Sequence, residues 1–328
     1  MINTILVTGG TGFIGSHTVE RLLAKGYYVR CLIRPHQTNL RWLQGLRVEL
    51  VECDLFNSSS ILKCIEDSDY IIHIAGITKA KRKSEFFTGN TIATQNLLHA
   101  ACQMKKLKKF CFVSSLTAVG PSATGIPLTE TAQCQPITTY GKSKLEAENV
   151  CKKYMNQIPI VIIRPPAVFG PRDTDILEMF RCVGYGFRPI IGSSEKTLSL
   201  VYAPDLAKGI LHATFNDRTA GEIFNISDPT IFTFSSLINY IAASAQTRTI
   251  PIFIPKSLFY SIAGITQFMS VFGKKPAVLN IEKARDLLQK HWVCDPQKIR
   301  DHIGFQTTTP VYEGIDETFQ WYKKMNWL

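Results

Sequence analysis

The stretch Thr8-Gly9-Gly10-Thr11-Gly12-Phe13-Ile14-Gly15 follows a short apolar run, residues 3–8, and precedes an amphipathic helical pattern. Gly9 permits a tight turn from strand to helix, Gly12 lets the backbone approach a ligand closely, and Gly15 lets the helix pack against a sheet. The start of the helix then offers free N–H groups and a partial positive charge to a pyrophosphate. Glycines also serve ordinary turns, but the strand before and the helix after favour a dinucleotide-binding loop.

Short apolar runs alternate with amphipathic patterns through the first half of the chain. Strands are predicted over 3–8, 28–34, 47–52, 70–75, 109–114 and 159–164, and helices over 13–25, 60–66, 84–104 and 137–155. This alternation is typical of an α/β protein with a doubly wound parallel sheet, the Rossmann fold. After Pro165 the elements become shorter and mixed. We therefore expect a dinucleotide-binding domain over 1–165, with returning segments around 198–227, and a smaller, mixed, mainly substrate-binding domain over 166–328.

The composition, 328 residues with 45% hydrophobic and 19% charged, is that of a globular protein and excludes a disordered or collagenous chain. The nine cysteines form no Cys-x-x-Cys pair and are odd in number, which favours reduced thiols in a cytoplasmic protein. No secretory leader is predicted, because the chain does not open with a basic region and a long apolar stretch. The formal net charge of +11 favours anionic partners. No nucleic-acid module is recognisable, so nucleic acid is not an expected partner.

The end of the second predicted strand bears on the identity of the dinucleotide. An acid about twenty residues after the glycine loop binds the ribose of NAD, but this chain has Arg34 there. A guanidinium suits a 2′-phosphate, which indicates NADP, with NAD or a merely solvated arginine as alternatives. Asp54 follows the third strand, where its carboxylate can accept from an adenine amino group or initiate a turn.

Tyr140 and Lys144 lie four residues apart and so share one face of the helix predicted over 137–155. A phenol with its ordinary pKa near ~10 exchanges protons poorly at neutral pH. A nearby ammonium, with a positive nicotinamide ring, is expected to lower that pKa toward the working range. Ser114 and Ser115 end the fifth predicted strand at the same sheet edge, where a hydroxyl can polarise a carbonyl. A Tyr-x-x-x-Lys pair alone also fits surface packing; its place after the glycine loop and the serines favours catalysis.

Together these stretches resemble the extended short-chain dehydrogenase/reductase superfamily, which includes NAD-dependent epimerase/dehydratase-like proteins, over nearly the whole chain. The residues that carry the resemblance are Thr8 to Gly15, Asp54-Leu55, His73-Ile74-Ala75, Asn90, Ser114-Ser115, Tyr140 with Lys144, Arg164-Pro165 and Phe169-Gly170-Pro171. Within the superfamily the sequence looks most similar to the dihydroflavonol reductase and 3β-hydroxysteroid dehydrogenase branch. That similarity lies in the strand ending on Arg34 and in Ser115-Leu116-Thr117-Ala118-Val119-Gly120.

The resemblance implies an NAD(P)-dependent dehydrogenase or reductase that transfers a hydride between NADP(H) and a secondary alcohol or ketone. Tyr140 would be the acid/base, Lys144 would hold the nicotinamide ribose, and Ser115 would orient the carbonyl, with Ser114 as the alternative serine. Asn90 would fix a water or backbone group near the lysine, or cap a helix. No metal is expected. The implied cofactor contacts are Gly9, Thr11, Gly12, Phe13, Ile14, Gly15, Arg34, Asp54, Leu55, Ala75, Tyr140, Lys144 and Pro165.

Two alternatives from other classes stay open. The first is a sugar-nucleotide epimerase that retains NAD. Sugar-nucleotide epimerases and dehydratases of the superfamily usually carry a tyrosine where this chain has Val119, and the dehydratases an acidic pair where it has Leu116-Thr117. The second is a non-catalytic NADP-sensing protein, which would not need Ser115, Tyr140 and Lys144. The resemblance also implies a homodimer formed through the tyrosine helix.

Residues 257–273 are uncharged between Lys256 and Lys274 and place Leu258, Ile262, Ile265, Met269 and Phe272 on one helical face. The other side is also apolar, through Phe259, Phe268 and Val271. One interpretation is a buried helix of the small domain. The other is a lid over a lipophilic substrate that touches a membrane surface with Lys256, Lys274 and Lys275. A run of about 25 Å is short for a bilayer crossing.

A basic cluster follows the fourth predicted strand at the edge where such sheets bind ligands. Its members are Lys79, Lys81, Arg82 and Lys83. This cluster can attract an anionic substrate or an acidic lipid.

Overall fold

The computed structural model describes residues 3–192, 196–273 and 276–328. Its strands are β1 (Thr4–Thr8), β2 (Tyr28–Ile33), β3 (Glu49–Glu52), β4 (Tyr70–His73), β5 (Lys109–Val113), β6 (Ile160–Arg164), β7 (Ala167–Phe169), β8 (Phe187–Ile191), β9 (Thr197–Leu198), β10 (Leu200–Tyr202), β11 (Ile223–Asn225), β12 (Phe232–Thr233), β13 (Ile250–Ile254) and β14 (His291–Trp292). Its α-helices are α1 (Phe13–Ala24), α2 (Ser58–Ile65), α3 (Lys83–Phe86), α4 (Ala93–Ala101), α5 (Thr139–Tyr154), α6 (Leu177–Gly184), α7 (Ala203–Phe215), α8 (Phe234–Ser244), α9 (Lys256–Phe272), α10 (Ile281–Leu287), α11 (Gln297–Ile303) and α12 (Val311–Lys324).

Seven of the strands form one parallel sheet in the order β11-β6-β5-β4-β1-β2-β3. Every residue of β5 and β6 is buried, as expected for parallel strands covered by helices on both faces. Helices α1 and α7 pack together over one face of the sheet, and α2, α4 and α5 cover the other. The predicted doubly wound fold is therefore confirmed.

The helix predicted over 84–104 is wrong as a single α-helix. It begins as α3, continues as a π-helical segment, Phe87–Ile92, and resumes as α4. The side chain of Asn90 within the wide turn bonds to the backbone of Ile77, on the loop after β4, rather than to its own helix. Long-range hydrogen bonds of this kind are not encoded in helical periodicity, and π-turns occur frequently at functional sites.

The elements after β6 build a second layer of structure at the carboxyl edge of the sheet. Strands β8 and β13 pair in parallel, and β12, β9 and β14 form a three-stranded sheet. Helices α6, α8 and α12 enclose a separate apolar core. The chain also returns to the large sheet, because β11 pairs with β6.

Helix α9 turns an apolar face outward. The residues predicted to share one face are exposed: Leu258, Ile262, Ile265, Met269 and Phe272. Only Phe259 and Ala263 of this helix are buried, against α10. The interpretation of 257–273 as a buried helix is thus wrong for that face, because a helix apolar on both sides does not reveal which side packs inward. Lys274 and Lys275 lie outside the described residues.

No helix in the described part of the chain is long and apolar enough to cross a membrane.

Candidate active site

The glycine loop packs tightly against the end of β4. Gly9 has φ +75°, and a Cβ there would lie 2.7 Å from the backbone nitrogen of Ala75. A Cβ on Gly15 would lie 2.0 Å from the carbonyl oxygen of Gly9. Helix α1 starts after Gly12 without a side-chain cap and without an acid in its first turn. The loop therefore has the bare backbone and the exposed N–H groups that a pyrophosphate requires.

Beneath this loop, a buried histidine joins two strands and a helix. The ring nitrogens of His73 contact Thr8 Oγ1 at 2.7 Å and Thr94 Oγ1 at 3.0 Å. Thr8 Oγ1 also accepts from the backbone N–H of Ala75 at 3.2 Å. Burial lowers the pKa of His73 to about 3, so the ring is neutral and fixes the loop without adding charge.

The two residues predicted to contact the adenosine half follow β2 and β3, the next two strands after β1 in the sheet. Arg34 is exposed, and its Nη2 donates to Gln37 Oε1 at 3.0 Å. Asp54 Oδ1 accepts from the backbone N–H of Phe56 at 3.0 Å, which is the turn alternative for this residue. The carbonyl of Leu55 accepts from Asn96 Nδ2 at 2.8 Å and is thereby held in place.

The two serines after β5 have different partners. Ser114 Oγ donates to Glu148 Oε1 at 2.5 Å in the core. Ser115 Oγ faces the cleft and accepts from Thr117 N at 3.2 Å and Thr117 Oγ1 at 2.9 Å. These bonds use the lone pairs of Ser115 and leave its proton for Tyr140 or a substrate oxygen. The sequence pattern assigns Thr117 no role in the site, yet its hydrogen bonds orient the serine.

Tyr140 lies at the start of α5, opposite Ser115. A Cβ on the next residue, Gly141, would be 2.3 Å from the carbonyl oxygen of Thr117, so only glycine permits this approach. Burial raises the pKa of the Tyr140 phenol to about 12; the Ser115 side chain lowers it, and Asp175 and Asp286 raise it further.

Lys144 lies one turn further along α5, and its ammonium binds the backbone of β5. Its Nζ donates to the carbonyl oxygen of Val113 at 2.7 Å, and burial lowers its pKa to about 8. In the chain by itself burial raises the pKa of Tyr140, so the lowering expected from Lys144 together with a nicotinamide ring stays a prediction.

Asn90 ties α5 to the loop after β4. Its Oδ1 accepts from Ile77 N at 2.7 Å, and its Nδ2 donates to Ile77 O at 3.0 Å and to Ser143 Oγ at 2.9 Å. Ser143 Oγ in turn donates to the carbonyl of Tyr140 at 2.7 Å. The helix-cap alternative is wrong, because Asn90 lies within the π-helical segment.

A buried ion pair holds α5 against β6. Arg164 Nη2 lies 2.6 Å from Glu148 Oε2, with the two side chains 1% and 0% exposed. Removing one partner of such a pair leaves an uncompensated charge, which is strongly destabilising. The sequence pointed to Arg164 only through the resemblance, and nothing pointed to Glu148.

Two connected cavities open between the sheet edge and the later elements. The first has a volume of about 310 Å³ and lies over Phe13, Ser115, Tyr140 and Pro165. The second, about 260 Å³, shares Ser115, Thr117, Pro166, Lys283 and Asp286 with the first. Its other lining residues are mostly apolar: Leu116, Ala167, Ile191, Lys196, Thr197, Leu198, Phe234, Leu287, Gln289 and Trp292. We call this second cavity the apolar arm.

Asp286 stands where the two cavities meet. Its Oδ2 lies 3.3 Å from Lys283 Nζ, whereas its Oδ1 is buried without a hydrogen-bond partner among the described residues. Burial raises the pKa of Asp286, and Lys283 opposes the rise. A buried acceptor of this kind is suited to a donor from a ligand. No motif marks Asp286, because its place depends on how α10 folds over the cleft.

Of the basic cluster, Lys79 reaches the first cavity, where its Nζ lies 2.5 Å from Asp175 Oδ1. All nine cysteines are free. Across the described ranges, no group of three or more His, Cys, Asp or Glu side chains is arranged to hold a metal ion.

Comparisons with known proteins show what this chain is similar to. Residues 5–227 match the model of the NAD dependent epimerase/dehydratase family. A ceramide reductase of Caulobacter vibrioides is 24% identical over 99% of this chain and 96% of its own. A decarboxylating sterol-4-alpha-carboxylate 3-dehydrogenase of Dictyostelium discoideum is 24% identical over 96% of this chain and 100% of its own. The crystal structure of UDP-glucuronic acid 4-epimerase from Bacillus cereus in complex with NAD has a TM-score of 0.79 and 24% identity, covering 98% of this chain and 99% of that one; this likeness shows the fold.

Proposed function

The chain belongs to the NAD dependent epimerase/dehydratase family, and we propose that within it the protein is an NADP(H)-dependent reductase of a ketone on a lipophilic substrate. The protein is an NAD(P)-dependent enzyme acting on CH–OH groups, an oxidoreductase or an epimerase. The observation that supports the proposed reductase is the apolar arm, whose lining includes Ser115 together with Leu198, Phe234 and Leu287.

The residues at the sheet edge fit a dinucleotide. Gly9, Thr11, Gly12, Phe13, Ile14 and Gly15 would receive the pyrophosphate, Leu55 and Ala75 the adenosine half, and Tyr140, Lys144 and Pro165 the nicotinamide end. Arg34 would pair with a 2′-phosphate, since its exposed guanidinium can leave Gln37. Asp54 would approach the adenine with the carboxylate oxygen that does not close its turn. When bound, NADPH supplies the hydride.

The protein's own residues would polarise the ketone and protonate its oxygen. Ser115 donates a hydrogen bond to the carbonyl oxygen, keeps its proton, and stabilises the negative charge that develops there. Tyr140 then transfers its phenolic proton to that oxygen. Burial raises the pKa of this phenol to about 12, so the phenol carries the proton at neutral pH. Lys144, anchored on Val113, would fix the ribose beside the phenol.

The arm and Asp286 together describe the substrate. The arm accepts an alkyl chain or fused rings, and Asp286 Oδ1 accepts a hydrogen bond from a hydroxyl or amide N–H close to the ketone. Two relatives with whole-chain similarity carry the names of lipid-directed enzymes, a ceramide reductase and a sterol dehydrogenase. A nucleotide sugar would leave this apolar lining unused.

The test is a spectrophotometric assay with NADPH and a homologous series of 3-oxo amides of increasing alkyl length. We expect kcat/KM to rise about three- to fourfold per methylene until the arm is filled, since each buried CH₂ contributes about 0.8 kcal/mol. With NAD+ supplied in place of NADPH, UDP-glucose and UDP-glucuronic acid should come back unchanged. Interconversion of a UDP-sugar with its epimer, without net consumption of cofactor, would establish the epimerase instead. Turnover independent of alkyl length would refute the lipophilic substrate.

We further propose that the protein is a cytoplasmic homodimer associated through α4 and α5. Its nine free thiols suit a reducing compartment. An open depression on the surface of these two helices is lined by Gln95, His99, Val150, Lys153, Tyr154 and Gln157. Sedimentation velocity at micromolar concentration should show a dimer that Tyr154→Glu converts to a monomer. A monomeric wild type would contradict the proposal.

A further inference from the structure

Helix α9 carries an apolar surface that the rest of the described chain does not cover. Phe268 and Met269 are each 66% exposed and Phe272 is 78% exposed. The one charged residue of this 17-residue helix is Lys256, at its first position, and its exposed polar side chains, such as Ser261 and Gln267, are uncharged. Large exposed apolar patches of this kind mark interaction sites.

The strand before the helix extends the same surface. In β13, Ile250 is 68% and Ile252 42% exposed on the same side as Ile254, and Phe187 of the paired strand β8 is also exposed. Strand and helix are continuous, because Ile191 and Ile254 pack with Phe259 and Ala263 in one small cluster. We call α9 with the exposed residues of β8 and β13 the apolar platform.

The segment that carries α9 and β13, residues 229–281, is basic. Between Asp228 and Glu282 the sequence contains no acid, whereas it contains Arg248, Lys256, Lys274 and Lys275, of which the last two lie outside the described residues. Arg248 and Lys256 are exposed. A surface that is apolar at its centre and basic at its border is complementary to an anionic lipid bilayer.

The basic cluster after β4 joins this border. Lys81 Nζ donates to the carbonyl of Gly273, the residue that ends α9. Lys79 pairs with Asp175, and Lys83 lies 3.9 Å from Glu282. Arg82, which is exposed, and Lys81 therefore extend the positive border to the end of the helix.

The platform is also next to the cleft. Ala277 and Val278, a few residues beyond α9, line the first cavity, and Val278 is 68% exposed. Ile191, which packs on α9, lines the apolar arm. A bilayer covering the platform would therefore lie at the mouth of the site.

We propose that the apolar platform and its basic border dock on the surface of an anionic membrane, with α9 lying in the interface. The helix is about 25 Å long and lies along the protein surface, so it enters the headgroup region without crossing the bilayer. Docking of this kind requires only the platform and does not depend on what the cleft reduces.

Co-sedimentation of the full chain with vesicles tests this proposal. Vesicles of phosphatidylcholine with phosphatidylglycerol should pellet the protein, high salt should weaken the binding, and phosphatidylcholine alone should bind at least tenfold less. The double variant Phe268→Asp, Phe272→Asp should lose at least tenfold in partitioning. Lys81→Glu with Arg82→Glu should lose the salt-dependent part. The matched control is Leu50→Asp, an exposed apolar position on the edge strand β3, which should bind like wild type.

Circular dichroism melting checks that each variant folds, since the substituted side chains are exposed. Vesicle binding that is absent, or equal in the platform variants and wild type, would overturn the proposal. The proposal would also be overturned if sedimentation velocity showed a self-associated form that does not bind vesicles and that dissociates in the double variant Phe268→Asp, Phe272→Asp. A second copy of the chain would then cover the apolar platform. Reductase activity on a short, water-soluble ketone should be unchanged in these variants, so that loss of docking and failure of the proposed reaction are distinguishable.

Discussion

Ser114 and Ser115 are consecutive, yet the hydroxyl of Ser114 donates to Glu148 in the core while that of Ser115 faces Thr117 and the cleft. Ser115→Ala should lower kcat about 10²–10³-fold, as loss of one oxyanion donor does, and leave stability nearly unchanged. Ser114→Ala is its matched control. It should cost about 1–3 kcal/mol of unfolding free energy, because Glu148 loses a donor, and keep most of kcat. Steady-state kinetics and urea unfolding measure both; the reverse pattern would exchange the two assignments.

Tyr140→Phe should reduce turnover by at least about 10²–10⁴-fold, because the proton donor is removed. Cofactor affinity, measured by fluorescence titration, should stay within about twofold, since the ring keeps its position beside Phe86. Turnover equal to that of wild type would remove Tyr140 from the acid/base role.

The buried ammonium of Lys144 predicts a pH dependence of stability. Burial lowers its pKa to about 8 from the ordinary 10.5, so between these pH values the unfolded chain binds more protons than the folded chain. Folding is then favoured as pH rises from about 8 to 10.5, the window in which the cost of burying the charge disappears. Lys144→Met removes that cost at all pH values. Urea unfolding at a series of pH values should show its stability relative to wild type falling between pH 8 and pH 10.5; a constant difference would contradict the lowered pKa.

Arg34→Ala should weaken NADPH about 10–100-fold, the effect of losing a hydrogen bond to a charged group, while NADH is hardly affected. Gln37→Ala is the control, because it removes the present partner of the guanidinium without removing the charge. Titration of both cofactors by intrinsic fluorescence decides the matter. Equal weakening of NADPH and NADH would assign Arg34 a structural role.

Asp286→Asn should raise KM about tenfold for substrates with a donor beside the ketone, since a neutral amide accepts more weakly than a carboxylate. It should leave KM unchanged for ketones that lack the donor. The carboxylate also raises the pKa of Tyr140, so the variant should lower the pKa seen in the alkaline limb of the kcat profile. A uniform loss of activity with an unshifted profile would show that Asp286 acts only through packing.

The sequence predicts those elements whose geometry depends on residues close to them in the chain. The strands of the first half and its helices apart from the interrupted one over 84–104 follow from periodicity, and the glycine loop follows from the space that backbone needs between β1 and α1. The direction of the Tyr140 pKa did not follow, because burial depends on elements far along the chain. Asp286 is not predicted as a site residue, because its position depends on how α10 folds over the cleft. The sequence does not predict which face of α9 is exposed, since both sides of that helix are apolar.

The pairing of β11 with β6, and of α7 with α1, ties the nucleotide-binding half to residues synthesised well after it. A fragment that stops at Pro165 would present the backbone edge of Ile162 and Ile163 to solvent and uncover the flank of the first helix. Such a fragment could not be transplanted as a self-sufficient module. During translation, more than half of the polypeptide must be synthesised before β11 is available to pair with β6 and complete the sheet.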